Sequence, residues 1–243
     1  MKLIKLNATD STNDYLKRLQ LNADTENWTV VTALSQTAGK GQMGSVWLSE
    51  EGKNLTMSIL VMDSGIQVQQ IFSLNIAVSV AIIIVLEKMG IPNLAVKWPN
   101  DIMSGNKKIG GILIENTIKT NTEIISIIGI GLNVNQTNFQ NLPKASSLSK
   151  IMKKEFDSQM LLKSIFDALQ FTFLKLSSHE IGNLWNDYNR KLFKIGIPMP
   201  FEKPDGIRFM AIIEEVNVYG KLVLKLEDDS VKAFELKEIA MLY

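Results

Sequence analysis

Residues 76–86 read IAVSVAIIIVL, a stretch with one serine and no charge. A segment without a polar side has to be covered all round, so it rules out folds built from one exposed layer. It is shorter than the roughly 20 apolar residues of a membrane span and runs into Glu87-Lys88, which favours a buried helix. Gly90 and Pro92 supply the stop, and the pattern predicts a long helix over 67–89.

Around it the chain alternates strands and helices. Strands are expected at 28–35, 55–62, 94–98, 109–115 and 123–133, and helices after the cap-rich cluster at 10–14, over 160–176 and over 184–192. After Lys194 the runs become short and alternating, at 207–216, 221–226 and 231–236. The expected fold class is α+β: a mixed sheet with helices covering one face, spanning residues 1–194, followed by a small SH3-like β-barrel over 195–243. A 46% hydrophobic fraction over 243 residues suits a full core.

Several chemistries drop out on composition. There is no cysteine, so disulfides, thiolate catalysis and cysteine zinc sites are excluded. The single histidine, His179, sits in a polar run and reads as a solvated turn residue, which leaves no His-rich metal site. Net charge is +1 without a basic tail, so no nucleic acid is expected as partner. The opening residues turn polar by Asn7, too soon for a signal peptide, and the expectation is a cytoplasmic chain without membrane contact.

Gly39-Lys40-Gly41-Gln42-Met43-Gly44 matches G-x-G-x-x-G, with Asp63 at a fitting distance for a dinucleotide fold. That fold needs a helix opening at the last glycine. Here Gly44 leads into Ser45-Val46-Trp47 and a further strand, so the fingerprint is rejected. What remains is a glycine-rich loop carrying Lys40, suited to an anion or simply a flexible hairpin. Lys97-Trp98-Pro99-Asn100-Asp101 places a lysine inside an apolar strand that the proline ends. It reads as a ligand site or as a tryptophan plug with a turn. Lys107 and Lys108 open the strand that contains Gly110-Gly111, and only one of two adjacent lysines can face a given side. Gly110-Gly111, and Gly129 with Gly131 in a β-branched run, mark either a ligand's close approach or tight packing.

Taken in order, DSTN (10–13), QTAGKGQMGSVW (36–47), NLTMSIL (54–60), KWPND (97–101), KKIGGILIE (107–115) and GIGLNVN (129–135) resemble the biotin–protein ligases, over nearly the whole chain. The resemblance implies a short form without the N-terminal helix-turn-helix domain that some members carry. It also implies an ATP-dependent ligase using Mg2+, which forms biotinyl-5′-AMP and passes biotin to a lysine of a biotin carboxyl carrier protein. Carried over by motif, Ser11, Thr12 and Gln36 would hydrogen-bond the ureido ring of biotin, with Asn13 at the edge of the same site and Gly39, Gly41 and Gln42 of the loop beside it. Lys40 and Lys108 would be the catalytic cations at the biotin carboxylate and α-phosphate. Lys97, Asn100 and Asp101 would serve the triphosphate, with Asp101 on magnesium. Trp47 and Asn133 would lie near the adenine, and Gly111 and Gly131 would leave room for ligand. The family loop commonly reads GRGRxGRxW, and Lys40, Gln42 and Ser45 stand here where it has arginine. Alternatives kept open are a lipoate or octanoyl ligase of related fold and a non-catalytic biotin or nucleotide binder. Family members include monomers and homodimers, and an unpaired sheet edge would serve either.

Overall fold

The apolar stretch forms a helix whose positions 73–83, 85 and 86 are all buried. A computed structural model of the chain describes residues 1–22, 24–62, 64–119, 123–140, 142–176, 178 and 180–243. Asp63 and His179 lie outside the described residues. The strands are β1 (Leu3–Thr9), β2 (Val30–Gln36), β3 (Leu55–Met62), β4 (Leu94–Lys97), β5 (Asp101–Ser104), β6 (Lys107–Ile118), β7 (Ile124–Leu132), β8 (Pro198–Glu202), β9 (Arg208–Val216), β10 (Leu222–Leu226), β11 (Val231–Phe234) and β12 (Ala240–Met241). The helices are α1 (Thr12–Gln20), α2 (Phe72–Lys88), α3 (Leu148–Met152), α4 (Ser158–Leu176) and α5 (Ile181–Arg190).

Seven strands form one mixed sheet in the order β1-β2-β3-β7-β6-β5-β4. Only β1 and β2 run parallel; the other neighbours are antiparallel. Side chains alternate between faces. On β3 and β7, Leu55, Met57, Ile59, Ile128, Ile130 and Leu132 join α2 and α4 in the main core. Leu60, Ile125 and Ile127 point the other way, where they pack with Val31 and with Leu16 of α1. The sheet is therefore covered on both faces, not on one as the sequence suggested. The short α1 carries few apolar residues, so its docking is hard to read from hydrophobic pattern alone.

The second sheet, β11-β10-β9-β8-β12, is open and antiparallel. The closed SH3-like barrel expected for 195–243 is corrected to this open sheet. Closure needs paired outer strands, and here β11 pairs only with β10 and the two-residue β12 only with β8. Trp98 Nε1 donates to the Gly220 carbonyl at 2.9 Å and ties the second sheet to the first. On the outer edge of β4, Val96 exchanges hydrogen bonds with residues 191 and 193, at 2.7 and 2.9 Å. Strands β1, β5, β8 and β12 and helix α3 were not anticipated. All are short or half-exposed, and so lack a strong period.

Candidate functional site

Register places the site. Across the sheet, Thr56 of β3 pairs with Gly131 of β7, Gly131 with Gly111 of β6, and Gly111 with Asp101 of β5. Residues paired directly opposite share a face. One row along, Ser58 pairs with Gly129 and Gly129 with Leu113. This is the α1 face, and the apolar ladder that fills it under α1 stops where glycines replace side chains. The floor it leaves belongs to a cavity of about 280 Å³.

The N-terminal end of α1 forms one wall. Thr12 donates from its backbone N–H to Gln36 Oε1 at 2.8 Å and from its hydroxyl at 3.1 Å. Ser58 Oγ lies 2.7 Å from Thr12 Oγ1 and 2.6 Å from Asn13 Oδ1. Asn13 Nδ2 donates to Glu115 at 2.8 Å, and Lys17 pairs with the same carboxylate. Ser11, Thr12 and Asn13 are buried. Just outside, the Arg18 guanidinium holds the Asp10 carboxyl far below the usual range, helped by the Ser11 N–H. This end is thus neutral, rigid and rich in donors and acceptors.

The opposite end is cationic. Lys108 Nζ lies 2.6 Å from Asp101 Oδ1, and Lys97 Nζ lies 4.0 Å from Oδ2. Burial lowers the Lys97 pKa. Asp101 opposes that shift, and the Lys108 and Lys144 charges add to it. The choice between the two adjacent lysines follows from a register shift. Asp101 and Ile102 pair with Gly111 and Gly110, but Met103 pairs with Lys108, leaving Ile109 as an extra residue. Bulges of this kind re-aim side chains. Counting back from Gly111 by twos would bring Lys107 to the site face. The bulge instead puts Lys108 Nζ within 3.6 Å of where a Gly111 Cβ would stand. Lys107 is exposed and donates to the Pro143 carbonyl.

The glycine loop is a small hairpin folded over the floor. Gly41 N–H reaches the Ser45 carbonyl at 2.7 Å and Trp47 N–H the Gly39 carbonyl at 2.9 Å. Trp47 then lies on the floor: a Cβ on Gly131 would stand 2.5 Å from its Cε2. The buried Trp47 Nε1 has no hydrogen-bond partner, an unsatisfied donor beside the cavity. Lys40 pairs with Asp14 of α1 at 2.7 Å, and this hydrogen bond raises the lysine's pKa.

Of the residues expected from sequence, Ser11, Thr12, Asn13, Gln36, Lys40, Gly41, Gln42, Trp47, Lys97, Asn100, Asp101, Lys108, Gly111 and Gly131 line one cavity. Gly39 and Asn133 stand behind it. Gly39 leaves space for the Trp47 carbonyl. Asn133 is buried and donates to the Ser146 carbonyl at 2.9 Å, pinning the segment beside Lys108. Asn100 also works structurally, donating to the Ile112 carbonyl at 2.6 Å. Sequence reasoning missed Thr56 and Ser58, though polar residues alternating in an otherwise apolar strand were a usable signal. It assigned no role to Glu115 or Asp14, although Glu115 ends the KKIGGILIE stretch and Asp14 the cap-rich cluster.

Comparison with known proteins agrees with this geometry. A family model described as biotin/lipoate A/B protein ligase matches residues 6–135. The chain belongs to that family. Within it, the bifunctional ligase/repressor BirA of Bacillus subtilis is 31% identical over 224 residues, covering 89% of this chain and 64% of that protein. The biotin–[acetyl-CoA-carboxylase] ligase of Mycobacterium tuberculosis is 28% identical, covering 89% of this chain and 80% of that one. Among solved structures, the Aquifex aeolicus biotin protein ligase shares the fold with a TM-score of 0.82 at 23% identity, over 99% of this chain and 98% of that one.

Proposed function

We propose that the chain is an ATP-dependent biotin–protein ligase. The observation that carries this is the two-ended cavity, with neutral hydrogen-bonding groups at α1, lysines at β4–β6 and a glycine floor between. A ureido ring is uncharged and needs donors and acceptors, which Ser11, Thr12, Asn13 and Gln36 provide. A carboxylate meeting a triphosphate needs cations, which Lys108, Lys40 and Lys97 provide. Lipoate carries an apolar dithiolane head that leaves the neutral polar end unused, so the lipoate reading is disfavoured. The name of the Mycobacterium relative supports the same choice.

On this reading a biotin carboxylate oxygen attacks the α-phosphorus of ATP. The bond to the β-phosphate oxygen breaks, pyrophosphate leaves and biotinyl-5′-AMP forms. The amine of a carrier-protein lysine then attacks the acyl carbon, AMP leaves and the amine proton is lost. No protein nucleophile takes part, so the lack of cysteine is no obstacle. The chain positions the two substrates and places cations where charge develops. Trp47 offers a ring face near the adenine, and Asn133, which does not line the cavity, acts by pinning the segment beside Lys108. Magnesium typically binds through one or two carboxylates plus substrate phosphates. Asp101 is the one carboxylate lining the cavity among the described residues, and no three-residue metal cluster occurs there. That donor set fits an ion carried in by ATP. Residues 1–194 are read as the catalytic domain and 195–243 as an appended β module built on the open second sheet.

The test is incubation with ATP, biotin and a biotin carrier domain, with lipoate in parallel. Carrier biotinylation is expected; its absence from protein that circular dichroism shows to be folded rejects the reading.

Two variants probe the ends of the cavity. A Cβ at Gly129 would stand 3.1 Å from Asn13 Cγ, and Ser58 and Glu115 hold that amide in place. Gly129→Ala is therefore expected to weaken biotin binding roughly tenfold by calorimetry. Gln42 is uncharged where the family loop has arginine. Gln42→Arg adds a charge-assisted donor and is expected to slow escape of biotinyl-5′-AMP into solvent roughly tenfold. An unchanged release rate disproves that role for the loop.

A further inference from the structure

We propose that Lys144, oriented by the ring of Tyr243, is a further polyphosphate-binding residue that receives the pyrophosphate end of the nucleotide. The inference rests on the ligase reading above.

The segment carrying Lys144 is built against Lys108. Lys108 N–H donates to the Lys144 carbonyl at 2.7 Å, and Ser146 N–H donates to the Lys108 carbonyl at 3.0 Å. Asn133 anchors the far side of that segment. The Lys144 ammonium lies 4.1 Å from the centroid of the Tyr243 ring, and the Lys97 ammonium lies 5.3 Å from the same ring. Phe193 meets that ring edge-on at 5.1 Å, and the Leu242 N–H donates to the Pro200 carbonyl at 2.9 Å, so the tyrosine is held in place.

Charge then decides what the cluster binds. Two ammonium groups share one carboxylate, Asp101, which is close to Lys108 and at the outer limit of pairing with Lys97, and Lys144 shares the Tyr243 ring with Lys97. Among the described residues no carboxylate pairs with Lys144. An aromatic face orients a cation without neutralising it. Lys97 and Lys108 line the cationic end of the cavity, and the exposed Lys144 stands just outside it, joined to Lys97 through the Tyr243 ring, so lysines outnumber the one lining carboxylate on this side. Burial lowers the Lys97 pKa, and the like charges of Lys108 and Lys144 add to that shift. A multiply charged anion that gains charge during the reaction, the departing pyrophosphate, matches that excess.

The experiment compares the full chain with its Lys144→Gln, Lys144→Arg, Tyr243→Leu and Tyr243→Phe variants. Adenylate formation gives KM for ATP and for biotin, and added inorganic pyrophosphate gives its inhibition constant. Lys144→Gln is expected to raise both the ATP KM and the pyrophosphate inhibition constant about tenfold with the biotin KM unchanged. Lys144→Arg should restore both. Tyr243→Leu should shift the same constants in the same direction, and Tyr243→Phe should not. Unchanged ATP and pyrophosphate constants in Lys144→Gln, or an equal rise in the biotin KM, overturn the proposal. If the parent chain forms no adenylate, the ligase reading fails separately. Calorimetry with pyrophosphate on parent and Lys144→Gln protein then decides, equal affinity refuting the proposal.

Discussion

Replacing Lys108 with alanine is expected to slow biotinyl-5′-AMP formation by roughly 100- to 1,000-fold while leaving the chain folded. The size follows from where the ammonium sits. It pairs with Asp101 at 2.6 Å, lies 5.9 Å from the Trp47 ring centroid, and projects over the glycine floor between the neutral and cationic ends. That is where a biotin carboxylate would meet the α-phosphate. Charge there grows in the transition state, and a positioned ammonium stabilises it more than a mobile solvent cation can. The folding cost is small, because the side chain is 36% exposed and an ion pair that open to solvent contributes little to stability. Single-turnover adenylate formation, with circular dichroism as the control for folding, measures the effect. A rate within a few-fold of the parent removes Lys108 from the central role.

Gly220→Ala is expected to lose about 2–5 kcal/mol of stability, the sum of a left-handed backbone that disfavours a side chain and an overpacked contact. Gly220 has φ +79° and joins β9 to β10. A Cβ there would stand 2.5 Å from Phe72 Cγ. Phe72 cannot readily yield, since Trp185 and Tyr188 pack on its ring. The Gly220 carbonyl also accepts from Trp98, next to Lys97, so the variant should raise the ATP KM as well as lower Tm. Gly196 makes a control: its φ is +70°, but a Cβ there meets nothing within 4 Å. Its alanine variant should cost only the backbone strain, about 1–2 kcal/mol. Equal losses at the two positions would show that contact with Phe72 contributes nothing.

Much of the candidate site was legible because its chemistry lies in short stretches. DSTN, the glycine loop, KWPND and KKIGG each brought their residues to one cavity. Glycine inside β-branched runs was a sound signal too. Gly111, Gly129 and Gly131 stand on the site face, and Asn13 at Gly129 and Trp47 at Gly131 occupy the space a side chain would take. Pattern served less well where contacts are long-range. Whether the C-terminal strands close on themselves depends on which edges meet, and β11 and β12 remain apart. Lys144 and Tyr243 are 99 residues apart by their numbers, and no local period links them.

The sequence by itself determined the enclosed helix α2, the strands that alternate around it and the residue types at both ends of the cavity, because burial and charge are written in composition and period. Only the tertiary structure showed why Lys108, the lysine that the motif resemblance names, faces the cavity and Lys107 does not. Strand alternation assigns the site face to Lys107, and one extra residue at Ile109 hands it to Lys108. A bulge arises from pairing between strands and leaves no mark in the strand that carries it. The same holds for Asp101, which became the shared partner of two lysines only when β4, β5 and β6 came together in register.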